Sequence, residues 1–226
     1  MFTATVCLRT DAQGLLPGEL WQARVLYDSM QTPYPRERIQ RFLFVANNSE
    51  ISQLTISERV DMNTGETYLS YDIKAANLEP DTLTTYKVRE YKDEYITLVS
   101  SDSLYWKDER FGIGYARVNI PFTTATRSMV LQFLNDQPVR TYYPDGEVDG
   151  YINTYQSDGF KRIDVVDSNR GWTSDYRIFN FEGFVFVKGI TSVPVVALYV
   201  IENYISVVEL PQLGEPQMAQ IRKERL

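Results

Sequence analysis

The sequence is dominated by short runs of β-branched and aromatic residues, separated by brief clusters of turn residues. Such runs with alternating polarity are typical of β-strands, and the Gly, Pro, Asn and Asp clusters between them are typical of hairpin loops. The runs occupy residues 2–9, 20–27, 42–46, 51–60, 67–74, 83–90, 95–99, 113–122, 127–134, 139–143, 148–155, 160–166, 176–187, 193–201 and 204–210. We therefore predict an all-β fold, an antiparallel sandwich or barrel of many short strands, with at most one or two short helices and a C-terminal arm.

The polarity of individual runs predicts which side chains are buried. Along residues 85–91, Tyr86 and Val88 fall on one face of a strand while Lys87 and Arg89 fall on the other, as in an antiparallel sheet with one face in water. The most apolar segment, residues 179–210, is the predicted centre of the core. Its predicted core residues are Phe179, Phe181, Phe184, Phe186, Val195, Leu198 and Val200. Gly183 interrupts this segment, and we predict a β-bulge there.

Two stretches have helical spacing. Residues 35–43 begin with Pro35 and place Ile39, Phe42 and Leu43 on one side, and residues 215–226 contain good helix formers after a Pro- and Gly-rich stretch. We predict a single all-β domain over residues 1–210, with residues 122–127 as a candidate point of subdivision. Residues 211–226 are predicted to form an extended or helical C-terminal tail.

Composition and charge exclude several classes of protein. With 226 residues, 43% hydrophobic and 23% charged, the chain is predicted to bury a sizeable core, and its net charge of −7 disfavours direct binding to nucleic acid. The longest apolar run, residues 193–201, is shorter than the roughly 18 residues that cross a membrane. The amino terminus lacks the pattern of a signal peptide, and Cys7 has no second cysteine with which to pair. These features predict a cytoplasmic or virion protein that makes no membrane contact.

The chain contains no histidine and a single cysteine. It therefore lacks the commonest general base, and it cannot build a zinc site from Cys and His. No phosphate-binding glycine loop is present either. We predict no cofactor and no enzymatic activity, because the only catalytic chemistry left would depend on carboxylates.

The stretch 143–151, with the sequence YPDGEVDGY, places Asp145, Glu147 and Asp149 at alternate positions before Gly150. This spacing resembles the first half of a calcium-binding loop, and these three residues are the candidate metal ligands. The flanking runs are strands rather than helices, and a calcium loop would need a Glu where Gln156 stands. Asp145-Gly146 is also typical of a hairpin turn, and we predict that role for it.

Aromatic and basic side chains supply the remaining candidate contacts. Trp21, Trp106 and Trp172 are candidates for stacking on a sugar or another flat ligand, with packing in the core as the alternative. A basic cluster spans residues 36–41, and a second contains Arg222, Lys223 and Arg225. Solvated surface is the simpler interpretation of both clusters. Arg222, Lys223 and Arg225 are our candidate interaction site with other proteins.

Three functions fit these observations. The first is a structural or assembly protein that contacts other protein subunits in a homo- or hetero-oligomer, with a virion head or tail as a candidate setting. The second is a calycin-like barrel that holds a small apolar or pigment-like ligand. The third is a carbohydrate-active enzyme that depends on two carboxylates facing each other across a cleft. The first is the function we favour on the sequence.

Overall fold

The computed structural model describes residues 14–26, 38–91, 93–107, 112–156, 159–190, 192–211 and 214–225. Within these ranges the chain forms seventeen strands and one helix, and the all-β prediction is confirmed. No helix among these residues is both long and apolar enough to pass through a membrane. The predicted strand at residues 2–9, which contains Cys7, lies outside the described residues.

The chain divides into two compact units. The first holds the described residues of 1–33, 41–54 and 73–118, and the second holds those of 34–40, 55–72 and 119–226. We expected one domain over residues 1–210, with a candidate subdivision at residues 122–127. The last boundary between the two units along the chain lies between Val118 and Asn119, just before residues 122–127.

Eight strands form a closed barrel, and most of their residues belong to the first unit. They are β1 (Leu20–Leu26), β2 (Arg38–Asn47), β3 (Glu50–Val60), β4 (Thr67–Pro80), β5 (Thr85–Val88), β6 (Tyr95–Leu98), β7 (Ser103–Lys107) and β8 (Gly112–Val118). All eight contribute to one buried cluster that includes Trp21, Ile96 and Trp106. Side chains therefore fill the interior of the barrel. As predicted for β5, Tyr86 and Val88 are buried while Lys87 is exposed.

The second unit is built on one antiparallel sheet of nine strands. They are β9 (Pro138–Tyr142), β10 (Tyr151–Gln156), β11 (Gly159–Asp164), β12 (Gly171–Ser174), β13 (Tyr176–Phe181), β14 (Phe184–Gly189), β15 (Val195–Val200), β16 (Tyr204–Glu209) and β17 (Gln217–Lys223). Their order across the sheet is β12-β11-β10-β9-β17-β16-β15-β14-β13. The last strand of the chain thus lies in the middle of the sheet.

The nine-stranded sheet curls until its two ends face each other. Tyr176 on β13 donates a hydrogen bond of 2.7 Å to the carbonyl of Gln156 on β10, and its ring meets that of Tyr155 at 5.0 Å. A side-chain carbon added to Gly189 on β14 would lie 2.7 Å from a ring carbon of Phe160 on β11, so this close approach needs glycine. We call the concave inner side of this sheet the cup.

Helix α1 (Arg127–Leu134) closes one end of the cup, where we had predicted a strand at residues 127–134. That prediction was wrong. Thr126 caps the helix by accepting a hydrogen bond from the amide of Met129, and Val130, Phe133 and Leu134 recur at helical spacing as its buried face. These three side chains join the apolar core inside the cup.

Strand β2 corrects a helix prediction. Residues 35–43 were a candidate helix that overlapped the strand predicted at 42–46, and residues 35–37 lie outside the described part of the chain. Residues 38–43 belong to β2, and Leu43 and Val45 point into the barrel core. Phe42 is also buried, so both faces of this strand are covered. A run buried on both faces loses the alternation that identifies a strand in a sequence.

The predicted single strand over residues 176–187 is instead the hairpin of β13 and β14. Its turn consists of Glu182 and Gly183, both with positive φ (48° and 84°), whereas we had predicted a bulge at Gly183. Positive φ at both central residues is the geometry of a type I′ turn. Of the predicted core residues, Phe179, Phe181, Phe186 and Leu198 are buried. The other three, Phe184, Val195 and Val200, are partly buried.

The C-terminal segment differs from the expected tail. Residues 217–223 form β17, which is extended rather than helical and pairs with both β9 and β16. Ala219 and Ile221 are buried in the core of the cup. Because β17 has a strand on each side, this part of the chain is an interior element of the sheet and does not project as an arm.

Residues 55–72, the far end of the β3–β4 hairpin, belong to the second unit and contact its sheet on the side opposite the cup. Tyr71 stacks on Phe179 with ring centroids 4.5 Å apart. The Lys188 ammonium lies 2.6 Å from a carboxylate oxygen of Glu58, and the two side chains are only 1% and 9% exposed. A buried charge is tolerated only when a partner compensates it. This ion pair therefore fixes the position of the hairpin on the sheet.

We expect Lys188→Met to lower the free energy of unfolding by about 3–5 kcal/mol, because it removes the ammonium that lies 2.6 Å from the buried carboxylate of Glu58. The double variant Lys188→Met/Glu58→Leu should recover much of that loss, since it removes both charges. Urea unfolding of the two variants measures the difference. Lys161→Met, at an exposed lysine on β11, is the control. A loss no larger than that of the control would show that the pair does not fix the hairpin.

Candidate functional site

The inner face of the cup changes from apolar to polar along its strands. Near α1 it carries Val139, Ile205 and Ala219, which belong to the apolar core. Towards the opposite end, the same strands and their neighbours present polar side chains around a cleft of about 330 Å³. The polar lining residues include Thr141, Tyr143, Asp149, Asn153, Arg162 and Glu209. A cleft of this size and composition is typical of a site for a small ligand.

An arginine and an aspartate form the charged centre of the cleft. Arg162 on β11 places a guanidinium nitrogen 3.0 Å from a carboxylate oxygen of Asp149. The other oxygen of Asp149 accepts a hydrogen bond from the backbone amide of Tyr151. The guanidinium also lies over the Tyr151 ring, 4.6 Å from its centroid. Three contacts therefore hold this ion pair at the opening of the cup.

A second carboxylate faces the cleft from β16. The hydroxyl of Tyr143 donates to both carboxylate oxygens of Glu209 at 3.3 Å. Burial raises the pKa of Glu209, and Asp149 adds to the rise, while Tyr143 and Arg162 oppose it. Burial also raises the pKa of Tyr143 to about 12, with the charges of Glu209 and Asp149 contributing. Tyr143 therefore remains a hydrogen-bond donor at neutral pH.

Two residues that line the cleft each have a buried polar atom without a hydrogen-bond partner among the described residues: Oδ1 of Asn153 and Nε of Arg162. Their side chains are direct cross-strand neighbours on β10 and β11. Asn153 is only 8% exposed. Because a buried polar atom without a partner costs free energy, this acceptor and this donor are suited to a ligand that supplies the complementary groups.

The structure separates the three candidate metal ligands. Asp145 accepts a hydrogen bond from the amide of Glu147, and the turn that follows has Gly146 at φ 92°. Asp145 thus lies in the predicted turn, whereas Asp149 pairs with Arg162. Across the described ranges, no group of three His, Cys, Asp or Glu side chains could hold a metal ion.

The basic terminal residues lie on or just after β17. Arg222 binds the side chain of Gln220 and stacks on the ring of Tyr142, while Lys223 lies over the ring of Phe133. Arg225 is exposed. Two of these three candidate interaction residues therefore also make contacts within their own unit, Arg222 with the sheet and Lys223 with α1.

The three tryptophans have different surroundings. Trp21 and Trp106 are buried in the barrel core, which is the packing role we gave as the alternative to ligand stacking. Trp172 lies on β12 and is 42% exposed. Its ring meets the Tyr151 ring edge to face at 5.3 Å.

Sequence reasoning identified only Asp149 among the polar lining residues. Asn153, Arg162, Tyr143 and Glu209 were missed, although one signal was present. Residues 151–155 and 160–162 alternate so that aromatic and polar side chains share a face, which is unusual for the inner side of a sheet.

None of the known protein families matches the chain, and neither curated proteins nor solved structures give a match. We therefore infer the function from the residues that line the cleft of the cup.

We expect Glu209→Gln to flatten the pH dependence of stability. Because the native state raises the pKa of Glu209, ionisation of this group opposes folding. The stability of the wild type relative to the variant should fall as pH rises from the ordinary Glu value of 4.5 through the raised pKa, and then level off. Urea unfolding of both proteins across this range measures the difference. A difference that does not change with pH would contradict burial of this carboxylate.

Proposed function

We propose that the cup of the second unit binds a small, uncharged, polyhydroxylated ligand of the saccharide class without transforming it. The observation that carries the proposal is a polar cleft lined by Asn153 and Arg162, whose buried Oδ1 and Nε atoms have no hydrogen-bond partner among the described residues. A hydroxyl group both donates and accepts, so one ligand hydroxyl group can satisfy both atoms.

The charges in the cup favour a neutral ligand. Arg162 and Asp149 compensate each other at 3.0 Å, which weakens attraction for a phosphate or a carboxylate. Both carboxylate oxygens of Glu209 already accept a hydrogen bond from the Tyr143 hydroxyl, which leaves them less available to a cation. The remaining recognition groups are hydrogen-bonding side chains and aromatic rings. They suit the hydroxyl groups and the apolar faces of a sugar.

We infer that the protein is not an enzyme, although the cup brings Asp149 and Glu209 into one cleft as carboxylate-dependent glycoside hydrolysis would require. Asp149 is held by an arginine and a backbone amide, and Glu209 by a tyrosine, so each is already engaged in positioning other groups. The calycin-like alternative needs an open barrel interior. Because side chains fill the barrel, it has less support.

We expect Asn153→Ala to weaken saccharide binding about tenfold, because it removes a buried acceptor that a sugar hydroxyl would use. A printed glycan array screens for the saccharide, and calorimetry with the best free glycan gives the affinity of each variant. Asn180→Ala, at an exposed asparagine on β13, is the control.

The same calorimetry should include inorganic phosphate and tetramethylammonium as charged probes. Binding of phosphate alone would show that Arg162 recognises an anion, and binding of tetramethylammonium alone would indicate a cation site. Either result, or a glycan affinity equal in Asn153→Ala and wild type, would overturn the proposal. Release of shorter chains from the bound glycan would show that the cup is catalytic.

A second candidate function is assembly with other protein subunits, which we favoured on the sequence, with a virion head or tail as a candidate setting. The observation that favours it is the edge of the nine-stranded sheet at β12, which has no neighbouring strand on its outer side among the described residues. The turn beside this edge exposes Val166, an apolar residue that is 94% accessible. An open edge next to exposed apolar surface is suited to pairing with a strand of another subunit.

If this edge joins subunits, light scattering of the native protein should give a mass above the 26.2 kDa of one chain. Val166→Asp should then return the mass to that of a single chain, because it places a charge in the contact. Val99→Asp, at a residue that is 67% exposed in the first unit, is the control. A native mass of one chain at high protein concentration would exclude self-assembly.

A further inference from the structure

We propose that the ligand of the cup is a linear oligosaccharide, and that the sugar following the one in the cup lies on the exposed ring of Trp172. This inference rests on the proposed function of the cup. It adds a second contact region at the β12 edge, and it specifies the ligand as a chain rather than a single sugar.

The register of the sheet places Trp172 beside the opening of the cup. Trp172 on β12 is the direct partner of Arg162 on β11, so the two side chains lie on the same face. The guanidinium of Arg162 is 4.6 Å from the Tyr151 ring centroid and 5.8 Å from that of Trp172. Both Arg162 and Tyr151 also line the cleft of the cup. The surface from the cleft to Trp172 is therefore continuous.

The indole of Trp172 offers an apolar face beside the opening of the cup. Its side chain shares the inner face of the sheet with Arg162, and the residue is 42% exposed. A second cleft, of about 400 Å³, is lined by Lys161, Ile163 and Thr173 on the opposite face, so it does not continue the cup. An exposed indole can hold the apolar face of a sugar ring. A single sugar in the cup would leave this ring uncovered.

Arg162 connects the cleft of the cup with the ring of Trp172. Its guanidinium is held by Asp149 in the cup and lies over the rings of both Tyr151 and Trp172. The ring of Trp172 meets the Tyr151 ring at 71°. These contacts fix the indole in one orientation before a ligand arrives, which lowers the entropy cost of binding. Trp172 is thus a preformed platform, although it lies on the last strand of the sheet.

Chain-length dependence tests the proposal. The probes are maltohexaose, cellohexaose, xylohexaose and chitohexaose, each compared with its monosaccharide by calorimetry. At least one hexasaccharide should bind more tightly than its monosaccharide. Trp172→Ala should weaken that hexasaccharide about tenfold and leave the monosaccharide unchanged, while Trp172→Phe should retain part of the affinity. Tyr199→Ala, at an exposed aromatic residue on β15, is the control.

Fluorescence gives an independent readout, because Trp172 is exposed whereas Trp21 and Trp106 are buried. The hexasaccharide should protect the emission of the wild type from iodide quenching, and the monosaccharide should protect it less. If Asn153→Ala weakens binding but chain length and Trp172→Ala have no effect, the platform is wrong and the cup stands. If none of the saccharides binds, the proposed function fails and this inference fails with it.

Discussion

The curl of the nine-stranded sheet depends on the contact between Phe160 and Gly189, which lie on β11 and β14 near opposite ends of the strand order. Only a residue without a side chain leaves room for the ring at this point. The contact brings β10 and β11 opposite β13 and β14, and the sheet gains an enclosed inner side. The core of the second unit and the polar cleft both lie on that inner side.

The nine-stranded sheet carries an ion pair on each of its two sides, one partly buried and one fully buried. Inside the cup, Arg162 and Asp149 pair at the polar end of strands whose other ends are apolar. On the outer side, Lys188 pairs with Glu58 from the β3–β4 hairpin. Neighbouring residues on β14 face opposite sides, since Val187 joins the inner core while Lys188 reaches the hairpin. The alternation of side chains along β14 thus places the Lys188–Glu58 ion pair on the opposite side of the sheet from the candidate site.

The sequence predicted most strand positions because alternation and turn residues are local signals. Two segments were assigned to the wrong state for different reasons. At residues 127–134 the local signal of Thr126 as a cap was present and was missed, whereas the strand state of residues 38–43 follows from burial of β2 on two faces, which depends on tertiary context. The central place of β17 could not be predicted, because its pairing with β9 joins residues far apart in the chain. For the same reason, Glu209 could not be placed beside Tyr143.

The sequence context of Asp149 allows two roles, a ligand of a cation or a partner in an ion pair, and the fold selects the second. Beside Asp145 and Glu147, its carboxylate could serve a cation, as oxygen ligands in calcium loops do. In the folded chain a guanidinium supplies the positive charge, 3.0 Å from that carboxylate. Arg162 is a fixed cation that also presents donors and a flat face to its surroundings. Because Arg162 already compensates the charge of Asp149, we expect a ligand site in the cup to select by hydrogen-bond geometry and ring stacking rather than by net charge.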